Sequence, residues 1–135
     1  MRKAFGKTDV GNVREMNQDD FNCGVLGDDA VFAVVCDGMG GARAGNVAST
    51  MAVESFMELF EQLWNDKQLT DEKMLESAAA YANEGVHRRS TTDEACLGMG
   101  TTMVAVLLNG TRATILNEGD SRAYHICEIG IRRVT

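Results

Sequence analysis

Proline is missing altogether from the 135 residues, tryptophan occurs once, and aromatic residues make up 6% of the chain. With no proline, no linker and no low-complexity stretch, nothing punctuates a domain boundary, and the length itself suggests one domain with a proper core. Basic residues number 13 against 20 acidic ones, giving a net charge of -7. They come together only as pairs, Arg2-Lys3, Arg88-Arg89 and Arg132-Arg133, so a nucleic-acid partner is excluded as an expectation, because phosphate contacts need grouped Lys and Arg. No apolar run approaches the ~18 residues of a membrane helix, and Met1 to Gly6 has no apolar stretch after its charges, so neither a membrane nor a signal peptide is expected. The four cysteines, at 23, 36, 96 and 127, form no CxxC pair and have no histidine at zinc-ligand spacing; free thiols in a reducing, cytoplasmic setting follow.

What is present is ordered as strands, two helices and more strands. Weak alternation predicts a strand over residues 2–10, and the polar stretch 11–20 a loop. Phe21 to Leu26 and Ala30 to Cys36 read as a hairpin around Gly27-Asp28-Asp29. The second strand is apolar enough to be central. Val47, Met51, Phe56, Leu59, Phe60 and Leu63 follow helical spacing, and this helix should end near Trp64-Asn65-Asp66. Thr70 then caps a second helix with Asp71 and Glu72 in its first turn and Leu75, Ala78, Ala79, Ala82 and Val86 as its buried stripe. Residues 90–100 read as a loop. Thr101 to Leu108 and Thr111 to Leu116 form a hairpin about Asn109-Gly110. Ala123 to Cys127 and Ile131 to Val134 extend the antiparallel meander. The fold class is α+β, a helical layer on antiparallel sheet.

Three polar stations interrupt this pattern: Arg14 with Asn17, Gln18, Asp19 and Asp20; Asp37-Gly38; and Asp120-Ser121-Arg122. Taken alone, Asp37 ahead of Gly38, Gly40 and Gly41 fits two descriptions. It can be an oxygen ligand for a hard cation, or an ordinary carboxylate in a strand-to-helix turn. Arg14 and Asp19 equally fit a surface ion pair, and Asp120 a turn residue. Strand ends of one sheet can bring the stations together, and carboxylates with one Arg would hold divalent metal and a phosphate.

Four motifs in order, Arg14-x-x-Asn17-Gln18-Asp19, Asp37-Gly38-Met39-Gly40-Gly41 with Gly45, Ala48 and Ser49, Gly98-Met99-Gly100-Thr101-Thr102, and Gly119-Asp120-Ser121-Arg122-Ala123-Tyr124, resemble the metal-dependent PPM family, the type 2C serine/threonine protein phosphatases, above all its small bacterial members. The resemblance runs from about Lys7 to Thr135. It implies a two-sheet αββα sandwich of which residues 1–135 are an N-terminal portion. Asp37 would bridge two Mg2+ or Mn2+ ions with the Gly38 carbonyl on one of them. Arg14 would hold the substrate phosphate, and Asp19 would orient Arg14 and the metal waters. Gln18 stands where many members carry Glu, and Asp120 resembles a ligand of a third, weaker metal site. Met39 replaces a histidine of some relatives, and Asn46 a common Glu.

The implied substrates are phosphoserine and phosphothreonine proteins, cleaved by a metal-activated water, often in opposition to a cognate Ser/Thr kinase. The family's domain is about twice as long, and two further metal-binding aspartates lie in its second half. The 135-residue chain is therefore expected to be weakly active or inactive, a non-catalytic metal- or phosphoprotein-binding module being the alternative. A bare sheet face and open strand edges would favour a homodimer.

Overall fold

The computed structural model describes the backbone of residues 1–135 and the side chains of all but residues 42 and 43. Strands β1 (Asp19–Leu26) and β2 (Ala30–Met39) precede helices α1 (Gly41–Asp66) and α2 (Asp71–Thr92). Strands β3 (Gly100–Thr101), β4 (Met103–Asn109), β5 (Arg112–Glu118), β6 (Tyr124–Cys127) and β7 (Gly130–Arg133) follow. The main sheet is antiparallel in the order β1-β2-β4-β5, with β3 pairing the end of β2. The apolar run at Ala30 to Cys36 is thus central, as its composition predicts.

Strand alternation divides that sheet into two faces. Phe32, Val34 and Cys36 of β2 and Met103, Ala105 and Leu107 of β4 point under the helices, where they join Phe56 and Phe60 of α1 and Leu75 and Ala78 of α2 in one core. The other face carries Val31, Ala33, Val35 and Asp37, directly opposed by Val25, Cys23, Phe21 and Asp19 of β1. Val25 and Val35 are exposed there. The helix ends follow the caps. Thr70 Oγ1 accepts from the Lys73 N–H, while α1 starts at Gly40, whose φ of 141° suits glycine, and closes at Lys67 in the left-handed region.

Several expectations are corrected. Residues 2–10 form no strand. They run as an extended arm, pinned by the Arg2 guanidinium, which donates to the carbonyls of Asp29 and Gly110 and pairs with the Asp29 carboxylate at 3.2 Å. Strand β2 continues to Met39, so Asp37 and Gly38 lie within it and the turn begins only at Gly40. The predicted loop at 90–100 is shortened by α2, which reaches Thr92, and by a 3-10 turn at Glu94–Cys96. The β4-β5 hairpin pairs Asn109 with Arg112, placing its two-residue loop at Gly110-Thr111, one residue on from the expected Asn109-Gly110. Gly110 supplies the positive φ of 56°. Strands β6 and β7 form a separate two-stranded sheet rather than a continuation of the meander.

The cysteines are all free. Burial beside the Asp20 carboxylate pushes the Cys36 thiol up to about 12, so its thiolate is scarce at neutral pH. With a thiol reagent at pH 8, exposed Cys127 is expected to react first and half-buried Cys23 next, whereas Cys36 and Cys96 react only on unfolding. Mass mapping of the modified peptides checks the order; fast labelling of Cys36 in the folded chain would contradict this packing.

Candidate active site

Asp37 sits near the end of β2, on the face of the sheet away from the helices, and its direct partner across the β1-β2 ladder is Asp19. Two carboxylates on directly opposed residues repel when both are charged. Asp19 accordingly holds its proton more tightly than an ordinary aspartate: partial burial contributes most, then the hydrogen bond and the charge of Asp37, while the Arg14 guanidinium pulls the other way. The first two stations of the sequence therefore meet here. A divalent cation at this pair would replace the repulsion by attraction, and its oxygen donors are of the kind that Mg2+ and Mn2+ prefer.

The backbone at Asp37 is fastened on two sides. The Asp37 N–H donates to Thr102 Oγ1 at 3.0 Å, the Thr102 N–H donates to the Asp37 carbonyl at 2.9 Å, and the Gly38 N–H donates to the Gln18 carbonyl at 3.0 Å. Gly38 is glycine because of proximity: a Cβ there would lie 1.9 Å from the Gly45 carbonyl oxygen and 2.7 Å from the Gln18 carbonyl oxygen. The first turn of α1 thus rests directly on the strand.

Gln18 uses its side chain structurally. Its Nε2 donates to the Gly41 carbonyl at 2.7 Å, tying the loop before β1 to the start of α1. Its amide also fills the space that a Cβ on Gly45 would enter. Arg14 stands exposed in that loop. The third station approaches through Ser121, whose Oγ shares a 2.6 Å hydrogen bond with Thr102 Oγ1. Asp120 itself is exposed in the turn after β5. Among the described residues no group of three or more His, Cys, Asp or Glu comes together as a metal cage; Asp19 and Asp37 are two carboxylates facing each other across the strands.

Thr102 is the site residue that the sequence does not single out by role. It lies in the Gly98-to-Thr102 motif, yet its part, with hydroxyl and backbone N–H both engaging Asp37, depends on β3 and β4 running beside β2. A threonine directly after a glycine-rich turn and ahead of a central strand is the only signal available.

Comparison with known proteins identifies the family. The sequence profile described as protein phosphatase 2C matches residues 12–129. A serine/threonine phosphatase, stp, of Listeria monocytogenes serotype 4b is 34% identical over 134 residues, covering 96% of this chain and 52% of the relative. Protein phosphatase PhpP of Streptococcus pneumoniae is 39% identical over 119 residues, covering 85% of this chain and 46% of the relative. The solved catalytic domain of the serine/threonine phosphatase PstP, in complex with two manganese ions, superposes with a TM-score of 0.76 at 28% identity over 96% of this chain and 53% of that one. The chain thus spans about half the length of the relatives it matches. A profile match running from the Arg14 loop through the Asp37 strand to the Asp120 turn leaves one assignment: the chain belongs to the protein phosphatase 2C family.

Proposed function

We propose that residues 1–135 form the N-terminal portion of a single catalytic domain that hydrolyses phosphoserine and phosphothreonine in proteins with the help of divalent metal. The observation that carries this reading is the face-to-face placement of Asp19 and Asp37 on paired strands, with Arg14 near enough to act on Asp19. Relatives named as serine/threonine phosphatases, one of them holding two manganese ions, support it.

The donors fit Mg2+ or Mn2+ in kind and fall short in number. Asp37 and the Gly38 carbonyl supply one corner, and Asp120 is available to a further, weaker ion. Bound ions of this type acidify a water and neutralise phosphoryl charge. Arg14, exposed and always charged, is suited to hold a phosphate through paired N–H donors. Asp19, opposite Asp37 on the paired strand, would orient Arg14 and the metal-bound waters. Because the protein ligands are few, this chain alone is a weak catalyst or none; its substrates are phosphoproteins, the products of Ser/Thr kinases. The same shortage favours a second reading, a non-catalytic module that binds metal or phosphoprotein.

Phosphate release from a phosphothreonine peptide, followed with and without Mn2+, tests both. The expected result is trace Mn2+-dependent release, abolished by EDTA and by Asp37→Asn, and peptide binding weakened about tenfold by Arg14→Ala. Rapid turnover would overturn the incompleteness, and release indifferent to Asp37→Asn and to metal would overturn the mechanism. Metal-dependent peptide binding with no release would favour the second reading.

A further inference from the structure

Arg14 hangs on a loop that has few supports of its own. Residues 9–16 are exposed throughout, so packing does not place them. The Gly11 N–H donates to Asp9 Oδ1 at 2.8 Å, a bond internal to the loop. Among the described residues, the hydrogen bonds that tie the loop to the rest of the chain lie at its neck. Asn17 makes two of them. Its Nδ2 donates to Thr8 Oγ1 at 2.6 Å, and its Oδ1 accepts from the Asp19 N–H at 3.0 Å. One half-buried amide therefore closes the loop and holds the backbone of the residue opposite Asp37.

Thr8 is itself a fixed partner. The arm that leads to it crosses the face of the sheet that carries the two carboxylates. Phe21 and Asp19 share that face by strand alternation, and the Gly6 backbone lies on the Phe21 ring, where an added Cβ would come within 1.9 Å of a ring carbon. Arg2 pins the start of the arm to Asp29 and Gly110. A cleft of about 370 Å³ beside the arm is lined by Lys7, Thr8 and Asp9 together with Asp19 and Phe21 of β1. The end of the arm and the start of β1 are thus neighbours across the neck.

A guanidinium that grips phosphate through paired N–H donors must be held in one place. Ordering a free loop at the moment of binding subtracts from affinity, and a loop already closed at its neck has less to order. We propose that Thr8 and Asn17 are positioning residues for Arg14: their side-chain pair closes the loop that presents the guanidinium to phosphate, and it fixes the Asp19 backbone at the same point. This rests on reading Arg14 as the group that holds the substrate phosphate.

Fluorescence anisotropy on the 135-residue chain tests it, with a phosphothreonine peptide and the same peptide unphosphorylated. Thr8→Val keeps the shape of the side chain and removes the acceptor, whereas Thr8→Ser retains it. Thr8 is exposed, so neither change endangers the fold. Thr8→Val is expected to weaken the phosphopeptide about fivefold, the worth of one net hydrogen bond. It should leave the unphosphorylated peptide unchanged and lower the backbone 15N NOE over residues 11–16. Thr8→Ser should bind as the parent does. Thr8→Val added to Arg14→Ala should cost nothing more, because residues that act through one another are not additive. Parent-like binding by Thr8→Val, an equal loss in Thr8→Ser, or the full fivefold loss on top of Arg14→Ala would each overturn the positioning role and leave the phosphate reading intact. If the parent chain does not distinguish the two peptides, or Arg14→Ala distinguishes them as well as the parent, the phosphate reading fails and this inference with it.

Discussion

Gly38→Ala is expected to destabilise the chain severely, at or beyond the upper end of the ~1–3 kcal/mol typical of overpacked sites. A new methyl carbon would lie 1.9 Å from the Gly45 carbonyl oxygen and 2.7 Å from that of Gln18. Both obstacles are backbone, so no rotamer change relieves them. Relief requires α1 to lift from β2, and α1 carries Phe56 and Phe60 into the core. The substitution would also weaken the Gly38 N–H bond to Gln18, which holds the Arg14 loop against the strand. Gly41→Ala is the comparison: its φ is 71°, yet nothing lies within 4 Å, so only the left-handed penalty of about 1–2 kcal/mol applies. Urea unfolding followed by circular dichroism measures both. Equal losses for the two variants would show that close contact at Gly38 does not govern the fold.

Phe60→Ala should cost about 3–5 kcal/mol. Phe60 is fully buried, and its ring centre lies 5.6 Å from those of Phe32 and Phe56, tilted to the first and stacked on the second. It joins the central strand to the long helix. Removing it leaves a cavity whose walls belong to two rigid elements and cannot collapse inward. Against the ~5–15 kcal/mol that domains of this size command, such a loss leaves a measurable unfolded fraction at room temperature. Phe5→Ala, on the exposed arm, should stay within about 0.5 kcal/mol. A loss below about 1 kcal/mol for Phe60→Ala in urea titrations would mean that the aromatic cluster is not the core's centre.

Much of the architecture is legible in the residues, and the failures have identifiable causes. The run from Ala30 to Cys36 shows as a strand because Phe32, Val34 and Cys36 fill the core under the helices while Val31, Ala33 and Val35 make the other face apolar too, and the Thr70 cap is where the sequence puts it. Gly38 misleads because glycine is read as a turn residue, whereas here it sits in a strand to admit the backbone of α1. Residues 2–10 alternate weakly, but Gly6 lies against the Phe21 ring and Arg2 spends its hydrogen bonds on two hairpin loops, so the arm docks through side chains without joining the ladder. Ahead of β6 the chain turns through Gly119 at a φ of 102°, and no composition signal tells whether the next hairpin stays in the sheet. The site follows the same rule. Its stations are visible as residues, but that Asp19 faces Asp37 is a matter of strand register, and register depends on the β1-β2 turn and on which faces are buried.

The fastening of Asp37 between β1 and Thr102 has a thermodynamic consequence for metal binding. Its main chain is immobilised by folding, so a cation arriving there orders no loop and fixes only the Asp37 side chain. Weak affinity in the isolated chain would then be enthalpic in origin, a matter of too few oxygen atoms rather than of a mobile one. Each further carboxylate brought to this corner should strengthen binding by its attraction to the cation less its repulsion of Asp37 and Asp19.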